Sequence, residues 1–144
     1  MNPCPLCHAK NETLLWQDGC CRAILVDDAD YPGFCRVIWK AHAKEMTDLS
    51  DDERMHFMSV VFTVERTIRE LLKPDKINLA SLGNQVPHLH WHVIPRFTDD
   101  AHFPDPVWAM RKRDGKPHSL DVPLLGQRLC RVLGPALPYN RRTE

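Results

Sequence analysis

Seven residues at positions 88–94, His-Leu-His-Trp-His-Val-Ile, constrain the fold of this chain more than any other segment. Histidine alternates with a large apolar residue three times, and a period of two is the period of a β-strand. The pattern predicts a strand from His88 to Ile94, with three imidazoles on one face and apolar side chains directed into a core. Pro95 has no backbone N–H to donate and is expected to end this strand.

The other segments of the chain predict an α+β fold. Four further strands are expected where short apolar or alternating runs are bounded by turn residues, at 14–16, 23–26, 34–39 and 77–82. One long helix is expected from Ser50 to Lys73. Ser50 and Glu53 form a capping box at its start, and Pro74 ends it. The apolar residues at helical spacing, which should form its buried stripe, are Met55, Met58, Val61, Phe62, Ile68 and Leu72. This order favours an antiparallel five-stranded sheet with the helix on one face.

Length and charge limit the classes of protein that fit. The 144 residues are enough for one domain that buries a core without disulfides. The 19 basic and 19 acidic residues leave no formal net charge, which argues against nucleic acid or a membrane surface as partner. The start of the chain does not resemble a signal peptide, and no apolar run approaches the ~20 residues of a membrane span. We therefore expect a cytoplasmic protein whose six cysteines are thiols or metal ligands.

The sequence pattern weakens after Arg96, and this divides the chain into two parts. Residues 1–98 are expected to form the domain, and residues 99–144 a C-terminal extension that packs on it or is partly extended. The parts expected within the extension are an arm, a short helix and a frayed end, at 99–123, 124–133 and 134–144.

Strand geometry limits what the three histidines do together. Alternate residues of a strand lie about 6.6–6.8 Å apart, which separates His88 from His92 by about 13 Å. A zinc ion needs its nitrogen ligands at roughly 2.0–2.1 Å, so two neighbouring histidines can share one ion but three in this row cannot. The three histidines are therefore expected to have different roles. The alternative is the solvent-facing polar side of an edge strand.

The histidine segment resembles the signature of the histidine-triad (HIT) proteins, His-φ-His-φ-His-φ-φ with φ apolar, at all seven positions. Its flanks are similar too: Gly83-Asn84-Gln85 before it, Pro95-Arg96 after it and a Pro32-Gly33 turn earlier in the chain. The resemblance runs from Cys4 to Phe97 and is to bacterial diadenosine-tetraphosphate-hydrolase-like members. It implies a five-stranded antiparallel sheet with one long helix, paired in a homodimer.

The resemblance also assigns roles to the histidines. His90 would be the nucleophile that attacks an α-phosphate and forms a nucleotidyl-histidine intermediate, which water then hydrolyses. Its second ring nitrogen must then carry the proton and be held by an acceptor, a backbone carbonyl in the family. His92 would donate to a non-bridging phosphate oxygen, where charge builds in the transition state.

Three residues fall where the family binds its substrate. Asn84 and Gln85 would lie against the phosphates. Asp27 would accept from both ribose hydroxyls, as a carboxylate can, with Asp28 as its rival and a simple turn aspartate as the alternative. One position departs from the family: many members have a histidine directly after the Pro-Gly turn, and here it is Phe34. The triad then has another supporting partner, or catalysis is weakened.

The pair Cys4-Pro5-Leu6-Cys7 is ambiguous by itself, since a CxxC is a redox pair, half a zinc site or a coincidence. The family resemblance implies a zinc site made by Cys4, Cys7, His42 and His88. Four such ligands with no open position form a structural tetrahedral site. His88 would then be removed from catalysis. The alternative is a pair of free thiols.

The function implied is a nucleotidyl hydrolase that cleaves dinucleoside polyphosphates or related AMP conjugates, with a small-molecule nucleotide as its partner. A nucleotidyl transferase, in which a second phosphorylated substrate replaces water, shares the covalent step. Phe34 keeps open a nucleotide-binding or regulatory protein with weak catalysis. A metallohydrolase with His88 and His90 on an open metal is a further alternative.

Overall fold

The structure, a computed structural model that describes residues 3–138, confirms the α+β architecture. Five strands form one antiparallel sheet in the order β1-β2-β3-β5-β4. The strands are β1 Thr13–Gln17, β2 Cys21–Leu25, β3 Cys35–Trp39, β4 Lys76–Ala80 and β5 His90–Arg96. The helices are α1 Asp51–Leu72 and α2 Val122–Leu133, with a short 3-10 helix at Met46–Asp48.

Helix α1 begins and ends as its sequence predicts. Ser50 accepts from the backbone N–H of Glu53, and the Glu53 carboxylate accepts from the N–H of Ser50. Two N–H groups that have no acceptor within the helix are satisfied in this way. The chain leaves the helix at Lys73, which adopts the left-handed conformation with φ 50° and ψ 54°. Pro74 follows at once. These local signals explain why the helix bounds agree with prediction to one residue.

The buried face of α1 differs from the predicted stripe. Its buried residues are Phe57, Val60, Val61, Val64, Thr67 and Ile68. The assignment of Met55 and Phe62 to the core was wrong, because their side chains are 72% and 50% exposed. These two are seven residues apart and share a face, as any i, i+7 pair does, but that face lies away from the sheet. Met58 and Leu72 pack only partly against the core.

The sheet has two chemically different faces. On the face toward α1, the core takes its strand residues from every second position of β2, β3 and β5, such as Ala23, Val37 and Val93. The register sets Arg36 opposite His92 and Ile38 opposite His90. Because directly paired residues share a face, Arg36, His90 and His92 lie together on the face opposite α1.

Strand β5 is shifted by two residues from its prediction. It begins at His90, whereas His88 lies in a bend where its N–H donates to the carbonyl of Val86 at 2.8 Å. It also continues through Pro95, which pairs with Ile77. The β3 pairing ends at Val93. A proline is tolerated where the ladder does not need its N–H.

The C-terminal part of the chain returns over the domain. Residues 99–121 contain no helix or strand, and α2 then packs on α1 and β1 through the buried Leu125 and Leu129. Arg96 anchors the start of this stretch through a buried ion pair with Asp100 at 2.8 Å. Part of the predicted frayed end, residues 139–144, lies outside the described residues. Neither helix in residues 3–138 has the length and apolar character required to cross a bilayer.

Candidate active site

Strand β5 brings His90 and His92 together on one face of the sheet. Their ring centroids are 4.9 Å apart and the rings are nearly perpendicular, at 82°. Both side chains are buried. The third histidine of the motif, His88, directs its ring elsewhere because it precedes the strand. Two of the three imidazoles therefore form the row that the sequence predicts.

The hydrogen bonds of His90 set its tautomer. Its Nδ1 lies 2.6 Å from the backbone carbonyl of His88, which can only accept, so Nδ1 carries the proton. Burial, with a smaller effect of the Arg36 charge, lowers the pKa of His90, although the bond to the carbonyl opposes the shift. The ring is then neutral near pH 7, and Nε2 presents an unprotonated lone pair.

His92 has the opposite arrangement. Its Nδ1 accepts a long hydrogen bond of 3.4 Å from Nε of Arg36, so the proton of a neutral ring is on Nε2. Burial, followed by the charges of His90 and Arg36, lowers the pKa of His92 to about 4. The rings of Phe34 and Trp108 meet the His92 ring edge-on, with centroids at 5.7 and 5.0 Å. His92 is thus a neutral N–H donor between two aromatic rings.

A groove of about 320 Å³ reaches the start of β5. It lies between the Lys44–Thr47 loop and the Ser81–Gly83 turn, and both His88 and His90 line it. Ser81 donates to the backbone carbonyl of His90 at 2.8 Å, which ties this turn to the strand. The groove gives a small molecule access to His88 and His90.

The predicted substrate-binding residues are placed at the surface. Asp27 is exposed directly after β2, whereas Asp28 accepts from the N–H of Asp30 and so closes a turn. Asn84 and Gln85 are exposed in the bend before β5, and Gln85 lines a separate groove of about 530 Å³ beside Cys4. Among residues 3–138, no side-chain hydrogen bond joins Asp27, Asn84 or Gln85 to His90 or His92.

The four predicted metal ligands meet in one cluster. A ligand atom of each of Cys4, Cys7, His42 and His88 lies within 4.8 Å of the others. Nδ1 of His88 is 3.4 Å from each sulfur, and Nδ1 of His42 is 3.2 Å from Sγ of Cys7. Tetrahedral zinc with ordinary bond lengths would hold sulfur and nitrogen about 3.5 Å apart. The donor set and spacing fit a zinc ion.

The surroundings of His88 support this fit. Its Nε2 donates to the backbone carbonyl of Trp39 at 2.6 Å, so Nδ1 is left unprotonated toward the two sulfurs. A ligating histidine held in this way by a carbonyl is the usual arrangement around zinc. His88 is buried, Cys4 is half-buried, and Cys7 and His42 are exposed. The segment from Cys4 to Cys7, here called the N-terminal knuckle, therefore lies against the start of β5.

The sequence interpretation missed Arg36 and a hydrogen-bond network around Tyr31 and Asp100. Arg36 is the charged residue of β3, and only the pairing with β5, which the sequence does not show, places it beside His92. Tyr31 donates to Asp100 at 3.1 Å and also contacts Nδ1 of His102. With the Arg96–Asp100 pair, this network joins the Pro-Gly loop to the arm that carries Trp108.

Comparisons with known proteins identify chains of similar sequence and fold. The family model for the HIT domain matches residues 8–99. A histidine triad protein from Bradyrhizobium japonicum is 31% identical with a TM-score of 0.69, and the match covers 84% of this chain and 90% of that one. A zinc-bound histidine triad family protein from Mycobacterium smegmatis, 23% identical with a TM-score of 0.58 and coverage of 89% and 88%, shares the fold.

Curated relatives match over shorter stretches. An AP-4-A phosphorylase of Mycobacterium tuberculosis is 31% identical over 78 residues, which is 50% of this chain and 40% of that protein. A bis(5'-adenosyl)-triphosphatase of Saccharomyces cerevisiae is 35% identical over 57 residues, 36% of this chain and 28% of that protein. The chain thus spans less than half the length of these two relatives.

Proposed function

The chain belongs to the HIT domain family, and on that premise we propose that it is a nucleotidyl hydrolase acting on the α-phosphate of dinucleoside polyphosphates or related AMP conjugates. The observation that carries the proposal is the pair of opposite tautomers. His90 offers an unprotonated Nε2, and His92 offers Nε2–H; the two ring centroids are 4.9 Å apart. A nucleophile beside a neutral donor suits attack at a phosphoryl group.

The proposed reaction has two displacement steps. Nε2 of His90 attacks the α-phosphorus; an N–P bond forms, and the P–O bond to the leaving phosphate breaks, with the electron pair going to the leaving oxygen. The His90 ring becomes cationic and keeps its Nδ1 proton on the carbonyl of His88. Water then attacks phosphorus, the N–P bond breaks, and a nucleoside monophosphate and one proton are released. His92 donates to a non-bridging oxygen in both steps.

We propose that three exposed residues hold the rest of the substrate. Asp27 would accept from the two ribose hydroxyls, and its rival Asp28 is already engaged by the Asp30 N–H. Asn84 and Gln85 have exposed amides in the bend before β5 and would donate to the phosphates.

A structural zinc ion on Cys4, Cys7, His42 and His88 is part of the proposal. When bound, the ion would supply a cross-link between the N-terminal knuckle and the start of β5, with no open position for catalysis. The fit of the donor set and the zinc-bound family member of the same fold support it.

Two other functions of the same site are favoured by particular observations. The relative named AP-4-A phosphorylase favours transfer, with phosphate in place of water. Phe34, which packs against His92 and offers no hydrogen bond, favours a nucleotide-binding protein with weak catalysis. With diadenosine tetraphosphate as substrate, hydrolysis at an α-phosphate yields AMP with ATP, whereas phosphorolysis yields ADP with ATP and requires added phosphate.

The hydrolase proposal is tested by trapping the intermediate. We expect radiolabelled diadenosine tetraphosphate, quenched during turnover, to leave acid-labile adenylylation on the wild-type chain and none on His90→Ala. Turnover should fall more than about 1000-fold in the variant, as for loss of a nucleophile. Equal turnover of the two proteins would contradict the assignment of His90.

We also propose that residues 1–98 are the nucleotide-binding domain, that 99–144 is an extension packed on it, and that the protein is a cytoplasmic homodimer. The packing of α2 on β1 and α1 supports the proposal that the extension packs on the domain. Light scattering of the full chain tests the dimer.

A further inference from the structure

Arg36 occupies a central position on the face of the sheet that carries the histidines. It lies in β3, directly opposite His92 on β5 and opposite Ile24 on β2. Its side chain is partly buried, and burial lowers the pKa of Arg36 without removing the charge of a guanidinium. A permanent cation is therefore built into the middle of the proposed site.

The charge of Arg36 is only partly compensated: the charge of Glu12 acts on it and opposes the lowering of its pKa by burial. Within residues 3–138, salt bridges hold Arg22 to Glu12 at 2.8 Å and Arg96 to Asp100 at 2.8 Å, but no such pair includes Arg36. Its side-chain hydrogen bond in this part of the chain is the one from Nε to Nδ1 of His92. A half-buried cation is costly unless an anion compensates it. The site is electrostatically complementary to an anionic ligand.

The bond from Arg36 also decides which nitrogen of His92 is protonated. A guanidinium donates and cannot accept, so Nδ1 of His92 must present its lone pair and Nε2 must hold the proton. Without that donor, neither ring nitrogen of His92 would be favoured by a hydrogen bond among the described residues. Arg36 thus does for His92 what the carbonyl of His88 does for His90.

We propose that Arg36 is a positioning residue, which holds His92 in its Nε2–H form and presents its remaining N–H groups to a phosphoryl oxygen of the substrate. The phosphate contact rests on the proposed function, whereas the tautomer does not.

Nitrogen-15 spectra of histidine-labelled full chain at pH 7.5, with zinc present, test the tautomer. We expect His92, identified by loss of its signals in His92→Gln, to be in the Nε2–H form. Arg36→Met, which keeps the length but has no donor, should give a mixture of tautomers, and Arg36→Lys should also lose the fixed form. Arg128→Met, far from the site on α2, is the matched control and should leave the His92 signals unchanged.

Calorimetric binding of AMP and adenosine tests the phosphate contact. The preference for AMP over adenosine should fall about tenfold or more in Arg36→Met, the size expected for a charge-assisted hydrogen bond. Arg36→Lys should keep most of that preference but have a reduced kcat with diadenosine tetraphosphate, because it restores charge without the Nε donor. Adenosine affinity itself should not change.

The outcomes separate this inference from the proposed function. If Arg36→Met and Arg36→Lys, both folded, leave the His92 tautomer and the AMP preference as in the wild type, the role of Arg36 is wrong even in an active hydrolase. If the wild type shows the fixed tautomer but binds neither AMP nor adenosine, the hydrolase proposal and the phosphate contact both fail, and the tautomer assignment stands alone.

Discussion

His88 and His90 are two residues apart and have the same side chain, yet they are arranged in opposite ways. His88 donates from Nε2 to the carbonyl of Trp39 and directs Nδ1 to two thiols. His90 donates from Nδ1 to the carbonyl of His88 and leaves Nε2 free. The partner of one ring nitrogen decides what the other nitrogen can do. The backbone, through its placement of carbonyls, therefore separates the end of the motif that we propose to bind metal from the end that we propose to be nucleophilic.

The largest expected effect distinguishes these two ends by metal content. His88→Ala removes a proposed zinc ligand, so we expect the purified chain to lose its zinc and about 4 kcal/mol of stability at free zinc near 1000 times Kd. A chelator should reproduce that loss in the wild type. Elemental analysis and thermal unfolding provide the measurements.

The matched control for this experiment is His90→Ala, which should keep one zinc ion per chain and a melting temperature close to that of the wild type. Loss of metal in His90→Ala would contradict the separate roles of His88 and His90. It would place the ion on the nucleophile and favour the metallohydrolase alternative.

A second prediction concerns pH and the catalytic end. The pKa of His92 is about 4 in the folded protein, against roughly 6.5 for a solvated histidine. Between these values the unfolded chain binds a proton that the folded chain does not. The free energy of unfolding is therefore unaffected by His92 above about pH 6.5 and decreases as the pH falls toward 4. The total decrease due to His92 is at most about 3 kcal/mol.

Urea unfolding between pH 4.5 and 7.5 measures this effect. His92→Gln should show a weaker decrease of the unfolding free energy across that range than the wild type. The depressed pKa of Asp100 acts at lower pH, since a carboxylate held by Arg96 loses its contribution only as it is protonated. If the unfolding free energies of the wild type and His92→Gln changed in parallel with pH, burial would not shift the pKa of His92.

The smallest expected effect is at Trp108, whose half-exposed ring contacts His92. Trp108→Ala should raise KM for diadenosine tetraphosphate by about threefold, within the range for loss of one exposed aromatic contact, and leave kcat and zinc content unchanged. Met110→Ala, at an 88% exposed position on the same arm, should change neither constant. An equal change in both variants would show that the arm acts only through its fold.

Local signals account for what the sequence predicted well. The Ser50–Glu53 box and the His-x-His alternation depend on neighbours in the chain, so helix α1 and most of strand β5 could be located. The family resemblance supplied the four cysteine and histidine positions that the structure brings together. The face of α1 was harder, because Met55 and Phe62 are as apolar as the residues that are buried instead.

Long-range pairing accounts for what was missed. Arg36 is 56 residues from His92 in the chain, and Tyr31 is 69 residues from Asp100. No sequence period relates such positions, so the neighbours of the row become visible only with the strand order β2-β3-β5. The exposed positions of Asn84 and Gln85 likewise depend on the bend before β5.

The carbonyl of His88 belongs to a residue whose side chain lies in the cysteine cluster, while the oxygen itself orients His90. If zinc and nucleotide bind as proposed, one peptide unit connects the metal equilibrium with the nucleotide equilibrium. Any factor by which zinc changes the affinity for AMP must equal the factor by which AMP changes the affinity for zinc, since the coupling free energy is the same in both directions. The zinc and nucleotide concentrations would then both affect the occupancy of the two sites through the same few atoms.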